Sequence, residues 1–445
     1  MTTSRFPGPK SAAYLDELAR YVIAEPFPFV LDLERSHGMR LATVDGQEIF
    51  DWAGYFGSKL IGHNHPGLAD PAYQKRLLTA ANNKTANPDY LTPDCVAYYR
   101  ELHRVAPQCM KNARLEAYVV NSGAEAVENM MKYFINLYNT EDPGRSRPSA
   151  LRRFLYFDQA FHGRTVFALN VTQLSHNLVL TKDFHGIVPG NIRLDFPAID
   201  ASGPAEANAA RTAEALDVVE KCLRRYGEEV VGIIVEPIQG AGGHRVAEAE
   251  FFRGLSRLAH EHRVNLGFDE VQTAGGQTGT FFAVDQFDLP FPPQAIATGK
   301  KLGNGVVYML YPMTDRNVLD STWGGSLADM VRFVREMEIV REERLIEQTP
   351  EKTALLVRLL KALTARFPDM LTNVRGMGLY QGFSLKAPFT AAQLAEFALE
   401  EESLLLLTAG RATIRLRPNL SVTAEDIRLL DEMLERLLGK MRLSA

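Results

Sequence analysis

The sequence of 445 residues contains three cysteines, no long apolar run and no excess of positive charge. Cys95, Cys109 and Cys222 lie far apart and form no CxxC pair, so neither a disulfide framework nor a cysteine-based metal site is indicated. The 49 Lys and Arg residues face 54 Asp and Glu residues, which argues against a nucleic-acid surface. Apolar stretches such as Val230–Val235 and Leu404–Leu407 fall far short of the roughly 20 residues that a membrane span needs. We therefore expect neither nucleic acid nor a membrane as a partner.

The opening of the chain, residues 1–7, also lacks the apolar region of a secretion signal, so we expect a cytoplasmic protein. Hydrophobic residues make up 46% of the sequence and charged residues 23%, which excludes a mostly disordered chain. At roughly 150 residues per domain, the length predicts two or three structural units.

Strand-length apolar runs alternate with helical patterns through the middle of the chain. These runs are Leu115–Val120, Phe154–Phe157, Val230–Val235, Asn265–Phe268 and Gln294–Ala297. The alternation predicts an α/β fold with a mainly parallel sheet and helices on both faces. Near the C-terminus, long helical patterns flank short strands, which predicts a smaller α+β domain. We expect an N-terminal segment over residues 1–60 that packs with the small domain, a large domain over 61–315 and the small domain over 316–445.

Polar residues follow several of these strands, at the edge where open parallel sheets bind ligands. The first strand leads into Asn121-Ser122-Gly123-Ala124-Glu125 and then into a helical pattern. Ser122 and Glu125 match a capping box, and the small residues also expose the first N–H groups of the helix to an anion. The pattern leaves a plain helix cap and a phosphate site as alternatives.

Asp269 and Lys300 present similar alternatives. Asp269 directly follows a strand, where a carboxylate either lines a site or caps the following turn. Lys300 stands in a glycine-rich loop after another strand, and the loop does not match a Walker A motif. A lysine in this position is either an ordinary surface residue or, with a lowered pKa, a group that forms a Schiff base.

The histidine pairs in the sequence do not predict a metal site. His63 and His65 have no third ligand nearby in the sequence. His260 and His262 are two residues apart on a predicted helix, where such positions do not share a face. We therefore expect no bound metal.

Six motifs, three of them described above, are weak individually, but their order along the chain is highly specific. They are Ser122-Gly123-Ala124, Phe161-His162-Gly163-Arg164, Glu236-Pro-Ile-Gln239-Gly240, Asp269-Glu270-Val271-Gln272, Lys300 and Ser321-Thr322-Trp323-Gly324-Gly325. In this order they resemble the class III (ω-amino acid) aminotransferases, which are pyridoxal-phosphate enzymes of fold type I. Within that family, the segments Asn83–Asn87, Ser321–Gly325 and Arg415–Pro418 most resemble the lysine 6-aminotransferase pattern.

The resemblance implies a site for pyridoxal 5'-phosphate. Lys300 would carry the cofactor covalently and shuttle a proton, and Asp269 would keep the pyridine nitrogen protonated, so that the ring acts as an electron sink. The other implied cofactor residues are Ser122, Gly123 and Ala124 at the phosphate, Phe161 and Val271 on the ring faces, His162 beside the ring, Glu236, and Gln272 at the phenolic oxygen. Thr322 would come from the partner subunit, which implies a homodimer with shared active sites.

The family pattern also implies two arginines that bind substrate. Arg164 would take the α-carboxylate of a lysine-like donor and Arg417 that of glutamate or 2-oxoglutarate, because a guanidinium binds carboxylate in a bidentate way. Ala241 stands where the lysine type carries a glutamate that pairs with the second arginine. Without that glutamate, Arg417 would be open to a carboxylate in both half-reactions. Asp320 replaces an asparagine before Thr322, and would either pair with Arg417 or attract a cationic amine.

The resemblance therefore implies an enzyme that moves the terminal amino group of lysine, or of a similar diamino acid, to 2-oxoglutarate. A ping-pong reaction of this kind would yield a semialdehyde and glutamate. The alternative is an enzyme with the same cofactor and a different amine, either an α- or β-amino acid transaminase or an amino acid racemase or epimerase. A catalytically silent protein of this fold is disfavoured, because it would not need Lys300 and Asp269.

Overall fold

The computed structural model describes residues 5–141 and 151–444; residues 1–4, part of the opening on which the secretion-signal prediction depends, lie outside them. The helical segments are α1 (Pro9–Leu18), α2 (Gly54–Gly57, a single turn whose residues all have positive φ), α3 (Pro71–Asn82), α4 (Pro93–Arg104), α5 (Gly123–Glu141), α6 (Val166–Leu169), α7 (Ala205–Tyr226), α8 (Ala249–Glu261), α9 (Leu327–Glu342), α10 (Thr349–Arg366), α11 (Ala391–Glu402) and α12 (Ala424–Ser444). The strands are β1 (Leu31–His37), β2 (Arg40–Thr43), β3 (Glu48–Asp51), β4 (Glu116–Val120), β5 (Arg153–Phe157), β6 (Ile192–Leu194), β7 (Val230–Val235), β8 (Ile238–Gln239), β9 (Arg245–Val246), β10 (Asn265–Asp269), β11 (Ala295–Thr298), β12 (Gly305–Met309), β13 (Leu371–Met377), β14 (Tyr380–Leu385), β15 (Leu404–Leu405), β16 (Leu407–Ala409) and β17 (Thr413–Arg415). Short 3-10 turns lie at Pro66–Ala69, Gln108–Met110, Leu178–Leu180, Ala283–Gln286, Lys300–Leu302 and Arg316–Leu319.

Seven strands form the central sheet, in the order β4-β12-β11-β10-β7-β5-β6. β12 runs antiparallel to both of its neighbours, and the other neighbouring pairs are parallel. The middle strands β7, β10 and β11 are buried along their whole length, as strands are when helices cover both faces of a sheet. The predicted α/β fold with a mainly parallel sheet is confirmed.

Two apolar clusters cover the two faces of this sheet. Along β12, Val306 and Tyr308 belong to one cluster, and Val307 and Met309 belong to the other. This alternation follows from strand geometry, in which successive side chains point to opposite faces. Helix α5 packs on the second face through residues that include Phe134.

Two smaller sheets lie outside the central one. Strands β13, β14, β17 and β16 form an antiparallel sheet, and helices α10, α11 and α12 share its apolar cluster. Strands β1, β2 and β3 form a second sheet, in which β15 from the C-terminal part pairs with β3. Helix α9 buries Met330 and Phe333 in a cluster of the central sheet. The domain bounds at residues 60 and 315 stay a prediction.

The histidines near the start of the chain contact two separate carboxyl groups. His63 Nε2 lies 3.3 Å from an oxygen of Asp51, and His65 Nε2 lies 3.3 Å from an oxygen of Glu343. Across residues 5–141 and 151–444, no group of three His, Cys, Asp or Glu side chains is arranged to hold a metal ion. Within the same ranges, no helix combines the length and the apolar character needed to cross a membrane.

Glycine in the middle strands allows α5 to approach the sheet closely. A Cβ atom added at Gly267 of β10 would lie 2.6 Å from Met130 Sδ and 2.6 Å from Phe134 Cζ. A Cβ at Gly232 of β7 would lie 2.4 Å from Phe134 Cδ2. Since core atoms pack at near-crystalline density, these positions have no room for a side chain.

We predict that Gly267→Ala lowers the free energy of unfolding by about 1–3 kcal/mol, because the added methyl group overpacks the contact with α5. The matched control is Gly439→Ala in α12, where no atom lies within 4 Å of the added Cβ. That substitution is expected to be neutral or to stabilise by up to about 1 kcal/mol, since alanine is the better helix former. Urea unfolding followed by circular dichroism measures both, and equal midpoints would contradict the close packing.

Candidate active site

The loops that follow β4, β7, β10 and β11 meet at the carboxyl edge of the central sheet, where ligands bind in open α/β folds. Asp269 ends β10, Glu236 follows β7 and Lys300 begins the turn after β11. The start of α5 touches this turn, since a Cβ added at Gly299 would lie 3.2 Å from Gly123 Cα. The fold therefore brings these sequence motifs into one site.

Asp269 is buried and is held from two sides. His162 Nδ1 lies 2.7 Å from Asp269 Oδ2, and the N–H of Val271 donates to Asp269 Oδ1 over 3.0 Å. His162 is also buried, and its Nε2 makes no hydrogen bond to any described residue. The contact orients the carboxylate and the imidazole relative to each other.

Glu236 is a second buried carboxyl group in the site. It accepts a hydrogen bond from the N–H of Phe161 over 3.3 Å. Burial raises the pKa of Glu236 well above its usual value, and the nearby Asp269 carboxylate raises it further. The guanidinium of the exposed Arg164 lies over the Phe161 ring, 5.5 Å from its centroid, which is the geometry of a cation–π contact.

The two neighbouring lysines of the loop after β11 have different surroundings. Lys301 is buried, and its Nζ donates to the carbonyl oxygens of Gln272 at 2.6 Å and Ala274 at 2.7 Å. Lys300 Nζ makes no hydrogen bond to another described residue. Burial lowers the pKa of the Lys300 amine, and the positive charge of Arg415 lowers it further. Of the two lysines, Lys300 is therefore the one whose amine is not held by a hydrogen bond to another described residue.

Helix α5 presents its N-terminus to the site. Ser122 Oγ accepts the N–H of Glu125 over 3.2 Å, so the predicted helix cap is present. The Glu125 carboxylate accepts the N–H of Asn121 at 2.9 Å. A Cβ added at Gly123 would lie 2.6 Å from Val271 Cγ1, so Val271 packs directly against the helix start. Because a helix leaves its first N–H groups unpaired, this end is also suited to an anion.

Arg417 is only 1% exposed, and its guanidinium contacts neutral groups. Nε and Nη2 both donate to Gln272 Oε1 over 3.1 Å, and Nη1 donates to the Leu416 carbonyl over 2.8 Å. Nη2 also lies 2.9 Å from His244 Nδ1. Burial lowers the pKa of Arg417 to about 9, and the charge of Arg415 contributes to this shift. No carboxylate of a described residue forms a salt bridge with this guanidinium.

His244 and Arg415 belong to the site, although no role was predicted for either. Arg415 lies close enough to Glu236 to be stabilised by its charge, while burial lowers the pKa of Arg415 to about 10. The alternation of side chains along a strand would have placed Arg415 on the same side as Arg417, two residues further on. His244 carries no such signal, because its contact with Arg417 joins distant parts of the sequence.

Asp320 and Thr322 are exposed on the loop before α9. The Tyr118 hydroxyl donates a hydrogen bond to Asp320. Within one protomer, no hydrogen bond or ion pair joins Asp320 to Arg417. The substrate role of Asp320 and the role of Thr322 in the partner's site stay predictions.

Comparison with known proteins gives consistent matches over nearly the full chain. A family model described as Aminotransferase class-III matches residues 22–438. The L-lysine-epsilon aminotransferase of Mycobacterium tuberculosis is 32% identical over 428 residues, which cover 92% of this chain and 92% of the relative. The protein of the same name from Streptomyces clavuligerus is 30% identical over 437 residues, covering 94% of this chain and 92% of the relative. A solved structure of lysine aminotransferase from M. tuberculosis superimposes with a TM-score of 0.89 at 31% identity, covering 96% of this chain and 99% of that chain.

The different surroundings of the two lysines predict effects of different size on the free energy of unfolding. Lys301→Ala should lower the free energy of unfolding by about 2–4 kcal/mol, because it removes two buried hydrogen bonds and leaves a cavity. Lys300→Ala should change it by less than about 1 kcal/mol, since that amine has no hydrogen bond to lose. Chemical unfolding of the ligand-free protein measures both variants. A larger loss for Lys300→Ala would contradict the structural role assigned to Lys301.

Proposed function

The chain belongs to the class-III aminotransferases, and from this we propose that it moves the terminal amino group of L-lysine, or of a similar diamino acid, to 2-oxoglutarate. The family resemblance inferred from the motifs is confirmed by the family match over residues 22–438. Members of this class depend on pyridoxal 5'-phosphate, and the protein is a transaminase of that type. Lysine as the donor is supported by relatives that are named L-lysine-epsilon aminotransferases. The products of the proposed reaction are glutamate and a semialdehyde.

The residues at the carboxyl edge of the sheet fit pyridoxal phosphate. A half-buried amine without a hydrogen bond, Lys300, suits covalent attachment of an aldehyde. The buried Asp269 suits a protonated pyridine nitrogen, and the unpaired Nε2 of His162 is a polar atom that a bound group could satisfy. The start of α5 at Gly123 suits a phosphate. When bound, this cofactor supplies an electron sink that stabilises the carbanion formed when the substrate loses a proton.

We assign the remaining cofactor contacts by the same reasoning. Phe161 and Val271 are apolar, partly buried and adjacent to other residues of the site, so they suit the two ring faces. Ser122, Gly123 and Ala124 form the helix start and suit the phosphate, and Glu236 lies beside Asp269. Gln272 would reach the phenolic oxygen, although here its Oε1 accepts from Arg417 and its Nε2 donates to the Phe56 carbonyl.

The chain's own groups account for proton movement and for the exclusion of water. The lowered pKa of Lys300 leaves more of its amine unprotonated at neutral pH, which is the form that accepts a proton. His162 and the N–H of Val271 together fix the orientation of the Asp269 carboxylate. Asp269, Glu236 and Arg417 are buried. Electrostatic interactions are stronger in the protein interior than in water.

Two arginines are suited to bind two substrates whose carboxylates occupy different positions relative to the reacting carbon. Arg164 is exposed and lies over Phe161, where a distal carboxylate of the donor could reach it. Arg417 is buried beside Gln272, where the α-carboxylate of glutamate or 2-oxoglutarate would lie next to the reacting carbon. A guanidinium is suited to both tasks, because its planar fork binds a carboxylate through two hydrogen bonds.

We predict that the protein supplied with pyridoxal phosphate shows a near-ultraviolet or visible absorption band that L-lysine removes and 2-oxoglutarate restores. A ping-pong reaction gives this result, because each substrate alone completes one half of it. Lys300→Ala should lose the response to lysine. A band that does not respond to lysine would reject the proposed donor but keep the cofactor. The absence of a band after cofactor is supplied would reject the role of Lys300.

We further propose a homodimer in the cytoplasm, with Thr322 contributed to the partner's site. Large apolar side chains are exposed in one protomer, among them Tyr21, Ile23, Tyr90 and Leu91, and such exposure is typical of interaction surfaces. Sedimentation velocity should give a dimer at micromolar concentration, and a monomer would reject the shared site. Thr322→Ala should then weaken cofactor binding without altering the sedimentation coefficient.

A further inference from the structure

The guanidinium of Arg417 is buried, charged and held by neutral groups. The edge formed by Nε and Nη2, which could bind both oxygens of a carboxylate, is covered by the single amide oxygen of Gln272. Burying a charge without an opposite charge is unfavourable. A carboxylate that replaced the Gln272 oxygen would form charge-assisted hydrogen bonds, which are about twice as strong as neutral ones. Arg417 is therefore arranged to receive an anion.

His244 holds the other side of Nη2 and is itself firmly placed. It lies in the turn between β8 and β9 and has a φ of +50°, a conformation that is unusual outside glycine. Arg375 stabilises this turn by donating to the carbonyl oxygens of Gly243 at 2.5 Å and His244 at 2.9 Å. Strained backbone of this kind persists where the surroundings fix it, as they do here.

The imidazole of His244 is neutral in this contact. Arginine has no acceptor, so Nδ1 of His244 must accept the hydrogen bond from Arg417 Nη2, which leaves the ring proton on Nε2. Burial lowers the pKa of His244 well below its usual value, and the positive charges of Arg417, Arg375 and Arg415 lower it further. His244 therefore orients Arg417 without neutralising its charge.

The turn that carries His244 has no carboxylate to offer Arg417. Residues 240–244 read Gly-Ala-Gly-Gly-His, and Ala241 stands where the lysine-type pattern has a glutamate. The turn nevertheless passes close to the guanidinium, since a Cβ added at Gly240 would lie 3.4 Å from Arg417 Nη2. A carboxylate here would compete with a substrate carboxylate for the same donors, whereas the imidazole and the amide do not carry the charge to do so.

We propose that His244 is a positioning residue that keeps Arg417 open to carboxylates in both half-reactions, so that the enzyme also removes the α-amino group of amino acids. The inference rests on the proposed function in one respect, the role of Arg417 as receptor for the carboxylate next to the reacting carbon. In this second activity the C–N bond at the α-carbon breaks and the amino group passes to the keto carbon of 2-oxoglutarate. The donor carbon is oxidised by two electrons to a 2-oxo acid and the acceptor carbon is reduced by two, so no further oxidant is needed.

Isotope transfer from lysine distinguishes the two activities directly. L-Lysine labelled with ¹⁵N only at the α-nitrogen, or only at the ε-nitrogen, is incubated with the holoenzyme and 2-oxoglutarate, and ¹⁵N in glutamate is measured by mass spectrometry. We expect label from both positions. L-Norleucine has the carbon chain of lysine but no ε-amine. It is expected to lower the intensity of the cofactor's absorption band and to yield its 2-oxo acid.

A matched pair of substitutions tests the role of His244. Asparagine and aspartate have the same shape, tolerate a positive φ, and differ in charge. His244→Asp introduces a carboxylate against Arg417, so the ratio of α- to ε-nitrogen transfer should fall at least about tenfold relative to His244→Asn. Glutarate binding, measured by calorimetry, should weaken by at least about tenfold as well. In His244→Asn, the transfer ratio and the glutarate affinity should lie closer to the wild-type values than they do in His244→Asp. If His244→Asp fails to fold, as judged by its melting curve, Ala241→Glu introduces the same charge three residues earlier in the same turn.

Each outcome has a separate meaning for the two proposals. Label from the ε-nitrogen alone, with no reaction of norleucine, overturns the α-activity and leaves the proposed lysine reaction in place. Label from the α-nitrogen alone supports the inference and rejects the proposed ω-reaction. If no label moves, the lysine reaction is rejected, and norleucine then decides the α-activity. Equal transfer ratios in His244→Asp and His244→Asn would show that the charge at this position does not control Arg417.

Discussion

The close approach of helix α5 to the loop after β11 is the constraint on which the site depends. Gly123 and Gly299 approach so closely that a Cβ added at Gly299 would lie 3.2 Å from Gly123 Cα. This contact places the helix N-terminus, with its preference for anions, directly beside Lys300. Val271 packs against the same glycine and connects the helix start to Asp269 at the end of β10. The loops from these strands can therefore meet, because Gly123 and Gly299 carry no side chain at the point of contact.

The charges gathered in this space explain why it is suited to anionic ligands. Burial lowers the pKa values of Lys300, Arg415 and Arg417, and the positive charge of Arg415 lowers those of Lys300 and Arg417 further. Each pKa shift indicates a buried cationic group that has too little negative charge nearby. A phosphate and the carboxylates of amino and keto acids would supply the missing negative charge. The positive charge gathered at this site therefore matches the anionic groups that a transaminase binds.

Several backbone positions near Arg417 have positive φ values. The four residues Gly54–Gly57 all have positive φ values, and a Cβ at the first of them would lie 2.1 Å from the Arg417 carbonyl oxygen. His244 and Lys300 also have positive φ values. Such conformations cost of order 1–3 kcal/mol each and persist when the surrounding structure over-determines them. Arg417 is therefore held by neighbours that come from three separate parts of the chain.

The sequence by itself determined five of the seven strands of the central sheet, β4, β5, β7, β10 and β11, while β6 and β12 were not predicted. Apolar runs of strand length and their alternation with helices are local patterns, and polar residues at strand ends must meet when the strands are parallel. For this reason the sequence placed Asp269 and Lys300 at this edge of the sheet, and their roles toward a cofactor stay predictions. Tertiary structure alone decided that Gln272 and His244 hold Arg417, that Tyr118 holds Asp320, and that Lys301 is structural. These contacts join residues 29 to 202 positions apart, and no periodicity or spacing in a sequence encodes a distance between segments that only folding brings together.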